Sequence, residues 1–304
     1  MSSSVPTRAG KASTAPRARA PRGWLGDLGL VLMFIFFLFP IYWALTMSFK
    51  TQPDTVTWPP KFVFSPTLDN YRIALGLGGP RGTGTPIAGA GGLSILPALI
   101  HSLIISTGAL LVSLIVGVPA AYALARYKFR GRDSIAFTFL SFRFAPELLV
   151  IIPLFVIYRN LNLYDTNQGM IWVYQLITLP LIIWIVRGYF EDVPREVEEA
   201  SKVDGCSWWG TFRHVAVPLA APGIAAASLL AFIYAWNNFV FVLILGGEHT
   251  QTVTLAALNF LSSEQQVYGQ MAAAVMVSIV PILILSVYAQ RYLVRGLSLG
   301  AVKG

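Results

Sequence analysis

Polar chemistry interrupts this otherwise apolar chain in two ways: as one island at 191–218, and as a few charged or amide side chains stranded inside hydrophobic runs. The island presents Pro194, Glu198, Glu199, Ala200, Ser201, Asp204, Gly205, Val215, Val217 and Pro218 in that order. Carboxylates beside small residues suit close, charge-guided docking on a cationic partner surface; a plain solvated amphipathic loop helix is the other use of such a string. The stranded groups are Arg143 with Glu147, and the adjacent Asn237 and Asn238. Four-residue spacing puts Arg143 and Glu147 on one helix face, and charges in hydrocarbon are costly enough that this face must meet protein or water. Two roles fit: a translocation-path or gate element, or an intramembrane ion pair that holds helices together. Asn237 and Asn238 lie between Trp236 and Phe239. Amides beside aromatic rings suit a sugar cavity, through hydroxyl hydrogen bonds and ring stacking, and equally suit hydrogen bonds between helices.

Nothing in the sequence makes or breaks bonds. His101, His214 and His249 fall in separate segments without metal-ligand spacing, so no metal site is expected. Cys206 is the one cysteine, which excludes an internal disulfide and predicts a reduced structural thiol. The Gly10-Lys11 pair is followed by Ala12, where a phosphate-cradling loop needs Ser or Thr. The chain is therefore expected to bind no cofactor and to hydrolyse no ATP; any motor must be another polypeptide.

The elements that position these groups are membrane spans. A mean hydropathy of +0.64, with 55% hydrophobic and 12% charged residues, lies outside soluble norms and predicts an all-α polytopic membrane protein. Crossing a bilayer takes about 20 apolar residues. Runs at 24–49, 96–127, 134–158, 169–186, 222–245 and 271–293 qualify, predicting six transmembrane helices. The third contains Arg143 and Glu147, and Pro146 and Pro153 predict a bend in it. Most of the 22 Lys and Arg residues fall in the tail and in the loops on one side, which places both termini and the 191–218 loop in the cytoplasm. That bias accounts for the net charge of +8 without nucleic acid.

The order is then a disordered basic tail at 1–23, a first span at 24–49, an extracytoplasmic loop at 50–95, a five-helix core at 96–293 and a short cytoplasmic tail at 294–304. The first span is too long for a secretory signal core. Within the outer loop, 76–92 is glycine-dense and predicts no core, whereas 51–75 carries aromatics able to pack on the outer mouth. The second outer loop, at 246–270, is predicted to hold a short helix near 255–261. Tyr158 and Tyr164 read as interfacial anchors. In the cytoplasmic loop, Asp192 is an expected helix cap, Pro194 a first-turn residue and Gly205 a left-handed end, giving a helix over 194–204. Val197, Ala200 and Ser201 should share its face, flanked by Glu196 and Glu199.

The loop's spacing resembles the EAA motif of permease subunits in bacterial ATP-binding-cassette importers: Glu199, Ala200 and Ser201, then Gly205, Val215, Val217 and Pro218. Ser201, Val215 and Val217 are small or aliphatic exchanges from that pattern. Further stretches, among them Pro40 to Trp43, Asn70-Tyr71, Pro119 to Arg126, Ile152 to Leu154, Trp236-Asn237 and Gly296 to Gly304, resemble carbohydrate-uptake permeases of the maltose-transporter, MalG-like type. The resemblance implies a type I importer permease fold in the bacterial inner membrane, with a coupling helix anchored by Glu198, Glu199, Ala200, Ser201, Asp204, Gly205 and Pro218. Implied partners are a second, MalF-like permease subunit, two ATP-binding subunits carrying ATP and Mg, an extracytoplasmic solute-binding protein and membrane lipid.

Overall fold

The computed structural model describes residues 24–78, 94–142, 147–262 and 267–300, and among them it contains helices and no strands. The chain divides into two units, Met1–Trp43 and Ala44–Gly304. In chain order the helices are α1 (Trp24–Ser48), α2 (Gln52–Val56), α3 (Asp69–Ala74), α4 (Leu96–Arg126), α5 (Arg132–Phe142), α6 (Glu147–Asn160), α7 (Asn167–Val173), α8 (Gln175–Asp192) and α9 (Arg195–Val203). They continue with α10 (Trp208–Thr211), a π-helical turn at Phe212–Ala216, α11 (Val217–Leu219), α12 (Ala221–Asn237), α13 (Val240–Leu245), α14 (Val253–Ser262) and α15 (Tyr268–Gly300).

Three stretches are long and apolar enough to cross a membrane unbroken: Gly26–Ser48, Leu96–Arg126 and Tyr268–Gln290. Three bent pairs bring the total to as many as six by length and composition if each pair is one span: α5 with α6 at 90°, α7 with α8 at 43°, and Trp208–Leu219 with α12 at 73°. The third span, in which a bend was expected, is two helices, α5 ending at Phe142 and α6 starting at Glu147. Arg143 and Pro146 lie outside the described residues, while Pro153 sits inside α6. The fifth run is also split: α12 stops at Asn237 and α13 starts at Val240, so Asn238 and Phe239 form a break instead of a helical turn. The expected short helix near 255–261 is present as α14. The glycine-dense 76–92 stretch falls almost wholly outside the described residues.

One face of α4 explains the centre of the bundle. Ala98, Ser102, Ser106, Ala109, Ser113, Gly117, Ala121 and Ala125 recur at three- and four-residue steps and are all buried. Lipid tails are as apolar as leucine, so helices in a membrane gain by packing backbones closely, and a small-residue seam permits that. At Gly117 an added Cβ would lie 2.9 Å from Ile182 of α8. At Gly223 of α12 it would lie 2.1 Å from the Tyr189 ring, again on α8. Polar atoms lock the α4–α8 register: Gln175 donates from Nε2 to the Ala109 carbonyl at 3.1 Å, and Ser113 donates to Gln175 Oε1 at 2.6 Å.

The 51–75 segment packs through Tyr71, Asn70 and Ala74, whereas two of the aromatics expected to pack, Trp58 and Phe62, are exposed. Asn70 donates to the Ser48 and Lys50 carbonyls at 3.0 and 2.7 Å, and Ala74 joins a core with Ile95, Ala98, Val267 and Ala273. Tyr158, expected as an interfacial anchor, is instead buried, with its hydroxyl donating to the Gly169 carbonyl at 2.9 Å. Close approach of α6 and α7 outweighs its amphipathic preference. Tyr164 stands under the Arg159 guanidinium, 3.8 Å from the ring centroid.

Candidate functional site

The 191–218 island folds as two short helices joined by a left-handed turn. Helix α9 begins after Pro194, which is its N-cap residue at φ −59° and ψ 135° and lends no side-chain cap. Asp192, the expected cap, is the last residue of α8. Glu196 and Glu198 in the first turn and Lys202 in the last match the helix dipole. At the far end Cys206 N–H donates to the Ser201 carbonyl and Gly205 N–H to that of Lys202, both at 3.0 Å. This bonding pattern requires a residue with positive φ after the cap, and Gly205 supplies it at φ +88°. Ser207 then caps α10, its hydroxyl accepting from the Gly210 N–H at 3.1 Å. Pro218 cannot donate to a carbonyl one turn back, and the backbone before it widens into the π-helical turn. The motif's spacing is the spacing of these stops and starts.

Orientation of α9 differs from the expected one. Glu198 and Ser201 form its buried face, while Val197, Glu199, Ala200 and Lys202 are exposed and Val203 is 88% exposed. Ser201 therefore lies inside the contact, with Val197, one turn earlier, left at its exposed edge and Ala200 outside it. The reason is Arg126, the last residue of α4. Its Nη2 lies 2.7 Å from Glu198 Oε1, its Nε donates to the same oxygen at 2.8 Å, and its Nη2 also donates to the Val193 carbonyl at 2.9 Å. The Tyr122 hydroxyl, one turn earlier on α4, donates to Glu198 Oε2 at 2.8 Å. Both charged side chains are under a tenth exposed, at 9% and 5%. Every oxygen of the carboxylate is thus engaged, which is what a buried charge requires. Around the pair, the Tyr122 ring packs at 5.0–5.2 Å on Phe212 and Phe190, and Trp208 stacks on Phe212. Ser201 closes the other end, 2.9 Å from the Thr211 hydroxyl.

Tyr122 and Arg126 belong to no polar motif in the sequence. A cation ending an apolar span with a tyrosine four residues earlier was the available signal. A second, exposed cluster ties α5 to α8: Arg187 meets Asp133 at 2.9 Å and Glu191 at 2.8 Å, and Arg132 meets Glu191 at 3.0 Å. Cys206 is free and exposed. Asp204 and Pro218 are exposed as well.

Among the described polar residues singled out in the spans, Glu147 and Asn238 meet, and Asn237 stands apart from them. Glu147 opens α6 and lines a cavity of about 320 Å³ with Phe142, Tyr234 and Phe241. Asn237 is exposed, donates to the Ile233 carbonyl of its own helix at 2.9 Å, and lines a separate cavity of about 460 Å³ with Trp236, Thr254 and Ser278. Asn238 lines neither. It is buried, accepts from the Phe241 N–H at 3.2 Å, and its amide stands 3.5 Å from Glu147 Oε1.

Known proteins are similar to this chain along nearly its whole length. It is 35% identical over 271 residues to the trehalose transport system permease protein SugB of Mycobacterium tuberculosis, covering 88% of this chain and 93% of the relative. It is 32% identical over 280 residues to the trehalose/maltose transport system permease protein MalG of Thermococcus litoralis, covering 91% and 95%. Its fold is that of a chain in the crystal structure of a bacterial ABC transporter involved in the import of the acidic polysaccharide alginate, with a TM-score of 0.69 at 23% identity over 91% of this chain and 99% of that one. Residues 113–299 match the family of binding-protein-dependent transport system inner membrane components, and the chain belongs to that family.

Proposed function

We propose that this chain is the MalG-like permease subunit of an ATP-driven sugar importer, forming half of the pathway beside a MalF-like subunit. Two ATP-binding subunits, which hold ATP and Mg, dock on the 191–218 elbow from the cytoplasm, where both termini also lie. An extracytoplasmic solute-binding protein delivers the sugar. The observation that carries this reading is the outer face of α9: Glu199, Ala200 and Val203 stand exposed on a helix whose inner face is fixed, and Trp208 and Trp209 of α10 are exposed as well. Exposed apolar side chains and a carboxylate on a helix so held suit a protein partner. Sugar as cargo is supported by the trehalose and trehalose/maltose permease relatives, alike over nearly their full length. Asn237 and Glu147, each at a cavity, are assigned to the path, and Asn238 to bracing it.

The test is reconstitution of the copurified assembly with its binding protein, scoring ATP turnover against a panel of di- and oligosaccharides, amino acids and phosphate. Stimulation by a saccharide alone is expected. Stimulation by an amino acid or phosphate instead overturns the cargo, and transport by this chain without ATP-binding subunits overturns the mechanism.

A further inference from the structure

Helix α9 has nine residues, too few to hold its shape or its place unaided. It is also bounded by two natural pivots, the extended Val193–Pro194 step before it and the left-handed Gly205 after it. A push on its outer face would swing such a helix about those pivots and be spent there, unless its inner face is fastened to a long element. The fastening present is Glu198, held by Arg126 and Tyr122 on one turn of α4. Arg126 simultaneously holds the Val193 carbonyl, so the same guanidinium immobilises the first pivot. Ser201 with Thr211 restrains the second.

Resting on the reading of α9 as the docking helix, we infer that Glu198, Arg126 and Tyr122 form a buried clasp that makes α9 and the end of α4 move as one body. A displacement delivered to the exposed side of α9 is thereby passed to the small-residue seam of α4 against α8. Glu198 and Glu199, neighbours in sequence, then have opposite tasks. Glu199 faces the partner, and Glu198 is a positioning residue that never touches it. The Arg187, Asp133 and Glu191 cluster is not equivalent, because both its carboxylates reach water, where ion pairs contribute little and yield under load.

The experiment uses the whole assembly in proteoliposomes and reads solute moved per ATP hydrolysed. Glu198→Gln keeps the side chain's shape and removes its charge. It is expected to retain the ATP-binding subunits and turn over ATP near the wild-type rate, while solute per ATP falls about tenfold, the scale of a lost coupling between sites. Tyr122→Phe, which deletes one hydrogen bond and keeps the ion pair, should give a smaller fall in the same ratio, and keeps the test available if Glu198→Gln does not accumulate. An unchanged ratio in both variants overturns the clasp. Loss of the ATP-binding subunits from Glu198→Gln also overturns it, since that is the signature of a docking residue. Glu199→Ala in parallel separates the two levels: if it loses uptake while Glu198→Gln keeps its ratio, the clasp alone fails, and if Glu199→Ala itself transports normally, the docking reading beneath it fails.

Discussion

The elbow at 191–218 and the polar groups inside the spans were equally conspicuous in the sequence, yet they meet opposite fates in the structure. In the elbow, residues singled out by spacing fall on the stops, starts and faces of two short helices. In the spans, Glu147 and Asn237 sit at different cavities and Asn238 is a buried brace. The contrast is one of range. Turns and caps are closed by hydrogen bonds over a few residues, so fixed offsets carry their geometry. Whether a polar side chain in a span bonds locally, as Asn237 does, or also meets another helix, as Asn238 meets Glu147, is stated by no offset.

The largest expected effect lies in the elbow. Glu198→Ala strands the Arg126 guanidinium, and removing one member of a buried pair costs about 3–5 kcal/mol. Hydrogen exchange should show that loss as local opening of 195–211, with amides along the α4–α8 seam unchanged. Uniform deprotection of both regions would erase the distinction between elbow and bundle. Next comes Gly205→Val, which forces a β-branched residue to φ +88° at a cost of about 1–3 kcal/mol, whereas Gly205→Asn should be milder because Asn tolerates that region. Thermal melts of the solubilised protein check the order, and equal melts for both would mean that the turn is not strained.

In the spans, the adjacent asparagines provide the sharper test. Asn238→Ala leaves the buried Phe241 N–H without its acceptor, a loss of about 1–3 kcal/mol. Asn237→Ala, exposed and bonded within its own helix, should change stability by no more than about 0.5 kcal/mol. If Asn237→Ala nevertheless lowers uptake, it belongs to the path. If the two variants melt alike, the division between brace and lining is wrong.

The smallest effect is on the 51–75 segment. Asp54 accepts from Lys61 at 2.6 Å and from Thr51 at 2.8 Å, and those bonds hold its carboxyl below the usual 3.8. A depressed carboxylate adds stability above its unfolded pKa and loses it as the pH falls through the folded value. Lys61→Ala should therefore lower the melting temperature slightly near neutrality and flatten the acid side of the profile, the variant and the parent converging as the pH falls well below about 4. An equal shift at every pH would show that Lys61 serves some other contact.

Much of the fold was legible. Six apolar runs, the short helix at 253–262 and the left-handed glycine all follow from hydropathy and local chemistry. Pro146 and Pro153 announced the bend between α5 and α6, whereas the break at Asn238 was not legible, because an apolar run looks the same whether its helix continues or turns. The facing of α9 was missed for a physical reason too. Periodicity groups Val197, Ala200 and Ser201 by smallness, but a guanidinium at the end of α4 outweighs them and turns the helix so that Glu198 goes inward. Two acidic neighbours cannot be told apart by spacing when the deciding partner lies 72 residues away.

Cysteine crosslinking in the intact assembly probes the elbow's function at its source. With Cys206 replaced by Ser, single cysteines at Glu199 and at Val203, on the outer face of α9, should each crosslink to an ATP-binding subunit, with yields that change when nucleotide binds. A cysteine at Ser201, on the inner face, should not. Crosslinks from Ser201 rather than Glu199, labelling of Val203 by a reagent confined outside the cell, or no contact with an ATP-binding subunit from either outer position would contradict the elbow's role as the coupling element.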